Sequence, residues 1–167
     1  MKKALSLLFV SFLCACTSGE ASPSQGTYTV TFPSTAAAIA TDFVQIFAYD
    51  FKPEERTFAC ADLVAARLRK DNSAKPVVQG PQVNVCELLG GARPITLPYG
   101  EKAVLAVGIR RTGSNDDDFL IGCVIQTFGN GNALLAIPLE LVDVQHDVPT
   151  SNCKSVGDRC SNACTAQ

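Results

Sequence analysis

The sequence predicts a mainly β domain: an antiparallel β-sandwich, Ig-like or transthyretin-like, of about seven strands with one short helical insertion. Three observations carry that prediction. Several short segments alternate apolar and polar residues with the period of two that a pleated strand imposes. Clusters of proline, glycine, asparagine and aspartate separate those segments at intervals suited to strand connections. Only residues 60–70 carry apolar side chains at convincing helical spacing.

The first strand begins at Thr27, with Tyr28, Val30 and Phe32 on one face and Thr27, Thr29 and Thr31 on the other; Pro33-Ser34 ends it. A second strand spans 41–50. Val44, Ile46 and Ala48 oppose Phe43, Phe47 and Tyr49, so both faces are apolar and a central strand covered on both sides is expected. Lys52-Pro53-Glu54-Glu55-Arg56 reads as a turn. In the helix, CADLVAARLRK, residues Cys60, Leu63, Val64 and Leu68 share one side, while Arg67, Arg69 and Lys70 complement the dipole at the last turns. A punctuated stretch, 74–94, holds one short strand near 82–86 and a turn at Gly90-Gly91.

The last third alternates most clearly. Leu105, Val107 and Ile109 share a face within 102–111; Phe119, Ile121, Cys123 and Ile125 share one within 119–127; Leu135, Ile137, Leu139 and Leu141 share one within 133–143. A three-residue loop at Gly129-Asn130-Gly131 would set Ile125 opposite Leu135, Cys123 opposite Ile137, Ile121 opposite Leu139 and Phe119 opposite Leu141. Pro138 has no N–H to give to a ladder, which places 133–143 at an edge or a bulge.

The amino end is read separately. Met1-Lys2-Lys3 precedes an apolar run from Ala4 to Leu13 that is too short to span a bilayer, and Leu13-Cys14-Ala15-Cys16 follows. This arrangement resembles the lipobox of bacterial lipoproteins. The resemblance implies a signal peptide over 1–15, cleavage before Cys16, a diacylglyceryl group on the Cys16 thiol and an acyl chain, such as palmitate, on its amine. Cys14 occupies a position where small residues are usual. Thr17 stands where an aspartate would retain many lipoproteins at the inner membrane, so the resemblance implies anchoring in the cell envelope, at the outer membrane rather than the inner one. Two or more acyl chains hold a protein firmly. Residues 17–26, TSGEASPSQG, read as a flexible tether reaching roughly 18 Å. The domains expected are therefore the signal, a lipidated tether over 16–26, a sandwich over 27–148 and a Cys-rich tail over 149–167.

The full chain has 14 basic and 16 acidic side chains; without Lys2 and Lys3 the balance is 12 to 16. That mild acidity excludes nucleic acid as the expected partner, because such binding rests on clustered positive charge. The membrane, reached through the lipid, is the partner implied, and any protein or surface partner stays unnamed. Beyond Cys14 and Cys16, six cysteines remain: Cys60, Cys86, Cys123, Cys153, Cys160 and Cys164. An even number in an exported chain points to disulfides. With three in the body and three in the tail, full pairing requires at least one bridge between them. Cys60–Cys86 is the expected body pair, worth roughly 3–4 kcal/mol in the chain-entropy model. Zinc at Cys153, Cys160 and Cys164 is disfavoured by export and by the spacing.

Signatures of catalysis are scarce. Phosphate-loop, zinc-protease and nucleophile-elbow motifs are absent from the sequence. Gly129-Asn130-Gly131 begins like a dinucleotide fingerprint but reads as a hairpin loop. His146 is the sole histidine, so no multi-histidine metal site forms within one chain. Beside Asp143 and Asp147 it reads as solvated, with a catalytic base as the rival. Asn115-Asp116-Asp117-Asp118 occupies the turn expected between 111 and 119; Asp116, Asp117 and Asp118 form a weak calcium candidate against a solvated charged turn. No catalytic residue, cofactor or metal is assigned.

The body resembles a group of small Cys-containing lipoproteins from myxobacteria through TYTVTFPST, the Cys-x-x-Leu helix, Leu-Pro-Tyr-Gly-Glu-Lys-Ala and Phe-Leu-Ile-Gly-Cys. That resemblance implies no substrate. A non-catalytic envelope module, binding or structural, is the function expected. The alternatives are a small exported hydrolase or a calcium-dependent binding protein using His146 or the acidic turn, and a binding loop presented by the tail.

Overall fold

The computed structural model of the protein describes residues 24–55, 58–143, 148 and 151–164. Nine strands and four helices follow one another as β1 (Ser24–Thr31), α1 (Thr35–Ala40), β2 (Phe43–Asp50), α2 (Cys60–Leu68), β3 (Val78–Gln79), β4 (Val83–Asn84), α3 (Val85–Leu88), β5 (Arg93–Leu97), β6 (Gly100–Thr112), β7 (Asn115–Phe128), β8 (Ala133–Pro138), β9 (Glu140–Leu141) and α4 (Val156–Cys160). The strands form two sheets. One runs β5-β1-β8; the other runs β3-β2-β6-β7-β9, with β4 also on β2. The fold is the β-sandwich expected, with more and shorter elements. Its smaller sheet mixes directions, because β1 pairs antiparallel with β5 and parallel with β8.

Two apolar layers hold the molecule. Between the sheets lie Tyr28, Val44, Ile46, Ala48, Val104, Ala106, Leu120, Leu135 and Ile137. On the outer face of the larger sheet, Phe47, Tyr49, Leu105, Val107, Ile109 and Ile121 pack with Leu63 of α2. The central strand β2 thus supplies alternate side chains to both layers, as its two apolar faces predict. Helix α2 covers the second layer because Leu63 and the partly buried Val64 face inward, at helical spacing.

The expected hairpin between 119–127 and 133–143 is corrected. Strand β7 pairs along its length with β6, through a turn whose Gly113 has φ +63°. Strand β8 instead joins the smaller sheet, with Tyr28 opposite Leu135 and Val30 opposite Ile137. The physical reason is that β7 is apolar on both faces. Ile121 and Cys123 face the helix layer, while Phe119, Leu120 and Val124 face the inter-sheet core. A bulge between Gly108 and Ile109 shifts the register, so Phe119 does not continue the face of Ile121. The residues grouped in sequence as one face therefore belong to two layers. Pro138 ends the edge strand β8, as its missing N–H requires.

The chain then changes sheets. The Leu139 N–H donates to the Thr31 carbonyl at 2.8 Å, the Val142 N–H donates to the Phe119 carbonyl at 3.1 Å, and Leu120 pairs with Leu141. One side of the sandwich is closed by this passage.

Four smaller expectations change as well. Ser24–Gly26 belong to β1, so the tether cannot extend to residue 26 as a free segment. Residues 82–86 divide into β4 and α3, because the Asn84 side chain accepts from the Cys86 N–H and starts a helical turn. Helix α1 was not anticipated; Ser34 caps it, accepting from the Ala37 N–H at 3.0 Å. The expected Cys60–Cys86 bridge is replaced by Cys60–Cys123, Cys86–Cys160 and Cys153–Cys164. Cys60 opens α2 on the outer face of the larger sheet and reaches β7, whereas Cys86 lies in the first turn of α3 and reaches the tail.

Candidate functional site

The two charged clusters of the sequence meet on the outer face of the larger sheet. Residues 115–118 are not a turn; they extend β7, because the chain reverses earlier, at Gly113-Ser114. Asp118 consequently lies beside α2. Arg67 Nε donates to Asp118 Oδ2 at 2.6 Å and its Nη2 donates to Oδ1 at 2.8 Å, a two-pronged pair. The Arg67 guanidinium also stands 5.1 Å from the Phe47 ring centre. The bonded carboxylate raises the Arg67 pKa above its ordinary value, against the opposing effect of burial.

A second pair lies further along β7. Arg111 donates through Nε and Nη2 to Asp116 at 2.8 and 3.2 Å, and its guanidinium sits 4.6 Å from the Phe43 ring centre. The bond from Arg111, and then that from Gln82, hold the Asp116 carboxyl below the usual carboxylate range. Between these pairs a wide shallow groove of about 620 Å³ is lined by Lys70, Asn72 and Asp117 among others. Its two best carboxylates are already taken by guanidinium groups. Among the described residues, no group of three or more His, Cys, Asp or Glu side chains is placed to hold a metal ion. Arg69 and Lys70 are exposed at the end of α2.

The tail forms a second constellation. Arg159 of α4 donates to the carbonyls of Ile39 and Thr41, at 2.6 Å for Thr41, and pairs with the Asp42 carboxylate. Asp42 also accepts from the Arg111 N–H at 2.6 Å. Cys86–Cys160 fixes α4 to α3, and Cys153–Cys164 closes the tail on itself. The Arg159–Asp42 contact was missed in sequence because its partners stand 117 residues apart. A Ser-initiated helix signal, Ser34 before Thr35-Ala36-Ala37-Ala38, was available for α1.

The chemistry these groups support is cohesion. All six cysteines at 60, 86, 123, 153, 160 and 164 are in disulfides, so none offers a thiolate nucleophile. His146, Cys14 and Cys16 lie outside the described residues. No helix among the described residues is long and apolar enough to cross a membrane. Comparison with protein-family models, curated proteins and solved structures finds no match.

Proposed function

We propose that the protein is an exported, lipid-anchored envelope module that acts by binding and not by catalysis. One observation supports it most strongly: three disulfides join all six cysteines downstream of the leader, two of them across 63 and 74 residues of chain. Such bridges persist in oxidising compartments and are rare in the cytosol. The leader and the lipobox-like Leu13-Cys14-Ala15-Cys16 lead to the same compartment. On this reading Cys16 carries the acyl groups, and residues 17–23 separate the lipid from β1. The outer membrane is the favoured destination.

Binding is favoured over catalysis because the polar clusters are occupied by one another and the thiols by disulfides. The test is the mass of the amino-terminal peptide from envelope-extracted protein, with fractionation of a Cys16→Ala variant. A diacylated and N-acylated Cys16 peptide is expected, together with an uncut or soluble form of the variant. An unmodified Met1 peptide, or unchanged membrane fractionation of the variant, contradicts the proposal.

A further inference from the structure

The two sides of the sandwich differ. On one side the chain passes from β8 to β9 and so links the sheets. On the other, β5 ends the smaller sheet while β3 and β4 end the larger one. Among the described residues no backbone hydrogen bond joins these facing edges. The gap between them is a cleft of about 360 Å³. That volume falls within the range of roughly 300–1,000 Å³ typical of small-molecule sites. Ile46, Val78, Val83 and Ile95 contribute apolar walls, and Arg93 is the charged residue of the lining.

Tyr28 points to a ligand. It lines the cleft and is only 5% exposed. A buried phenol ordinarily finds a hydrogen-bond partner. Among the described residues none bonds its hydroxyl, and no fully enclosed side-chain oxygen or nitrogen lacks a partner. The hydroxyl therefore meets solvent, and the cleft is the opening that Tyr28 lines. Arg93 is its cross-strand neighbour in the β1–β5 pair. One Arg93 nitrogen donates to Glu87 at 3.2 Å. Both side chains are more than a third exposed, at 37% and 55%. Such a pair is weak, and it leaves most of the guanidinium fork unused. Glu87 itself is not in the cleft wall.

We infer that this cleft binds a small amphiphilic carboxylate, its apolar body between the sheets and its carboxylate at the mouth, held by Arg93 and the Tyr28 hydroxyl. The inference deepens the binding reading and rests on it, while needing neither the lipid nor the envelope. A peptide strand fits less well. Pro94 removes an N–H from β5, and β3 and β4 are two residues each, so neither edge offers a long ladder.

Calorimetric titration of the full-length chain carrying Cys16→Ala, oxidised and purified without detergent, tests the assignment with decanoate and decanol as probes. Saturable binding of decanoate, one molecule per chain, is expected below its micellar range. Arg93→Gln should weaken decanoate about tenfold, the loss of one charge-assisted contact. The same variant should leave decanol within about twofold. Tyr28→Phe should weaken both probes. Circular dichroism and non-reducing electrophoresis verify that each variant is folded and bridged. No saturable binding by the folded parent overturns the site, as does decanoate binding that is indifferent to Arg93→Gln. Neither failure touches the anchor, which the Cys16 peptide mass tests separately.

Discussion

Gly122 of β7 lies against the carbonyl of Pro138: a Cβ built at position 122 would stand 2.1 Å from that oxygen. This is where the chain leaves β8 and crosses to β9. The close approach admits no side chain, and the obstacle is backbone on both sides.

Gly122→Ala should therefore destabilise the protein by about 3 kcal/mol or more, the upper end of overpacking costs, since no flexible side chain can yield. Gly129→Ala, where a Cβ meets nothing within 4 Å, is the control. It should change stability by less than about 1 kcal/mol. Urea unfolding midpoints of the two variants decide the comparison, and equal midpoints would show that β8 does not cross there.

Cys60 and Cys123 pin α2 to the larger sheet with a Cα–Cα distance of 5.5 Å and a separation of 63 positions along the chain. A loop of that length contributes about 4 kcal/mol in the chain-entropy model. The double variant Cys60→Ala/Cys123→Ala should lose stability of that order. Amide exchange should then rise across α2, while α4, held by Cys86–Cys160, keeps its protection. Uniform exchange in both helices would place the bridge elsewhere.

Burial raises the Tyr28 hydroxyl pKa above 10, with Arg93 opposing and Glu87 adding to the shift; burial likewise raises Tyr49. The unfolded chain ionises these phenols first as pH passes about 10, so it then binds fewer protons than the folded chain. Their contribution to stability is present below that pH and is lost as pH rises through the folded values. Unfolding midpoints should fall above about pH 10, less steeply in Tyr28→Phe. Absorbance at 295 nm should place the missing phenolate transition of that variant above the ordinary tyrosine value. A Tyr28 transition at or below 10 would contradict the burial.

The sandwich and its central strand were legible because local pattern decides them: β2 is apolar on both faces, and α2 alone has a long helical stripe. The mate of β8 was not. Leu135 and Ile137 alternate as well toward β1 as toward β7, and a bulge beside Ile109 conceals which face of β7 is which. The acidic run was visible, but its partner Arg67 is 51 residues away. Its service as an anchor for α2 depends on tertiary placement that spacing does not encode. Parity required a bridge between body and tail, and Cys86–Cys160 is that bridge; the choice among body cysteines depended on where α2 lies on the sheet.

Non-reducing peptide mapping by mass spectrometry, on protein purified from its native host, tests the account most directly. The account predicts Cys60 with Cys123, Cys86 with Cys160, and Cys153 with Cys164, with none of the six alkylated before reduction. Free thiols at these positions, or a Cys60–Cys86 peptide, would contradict it.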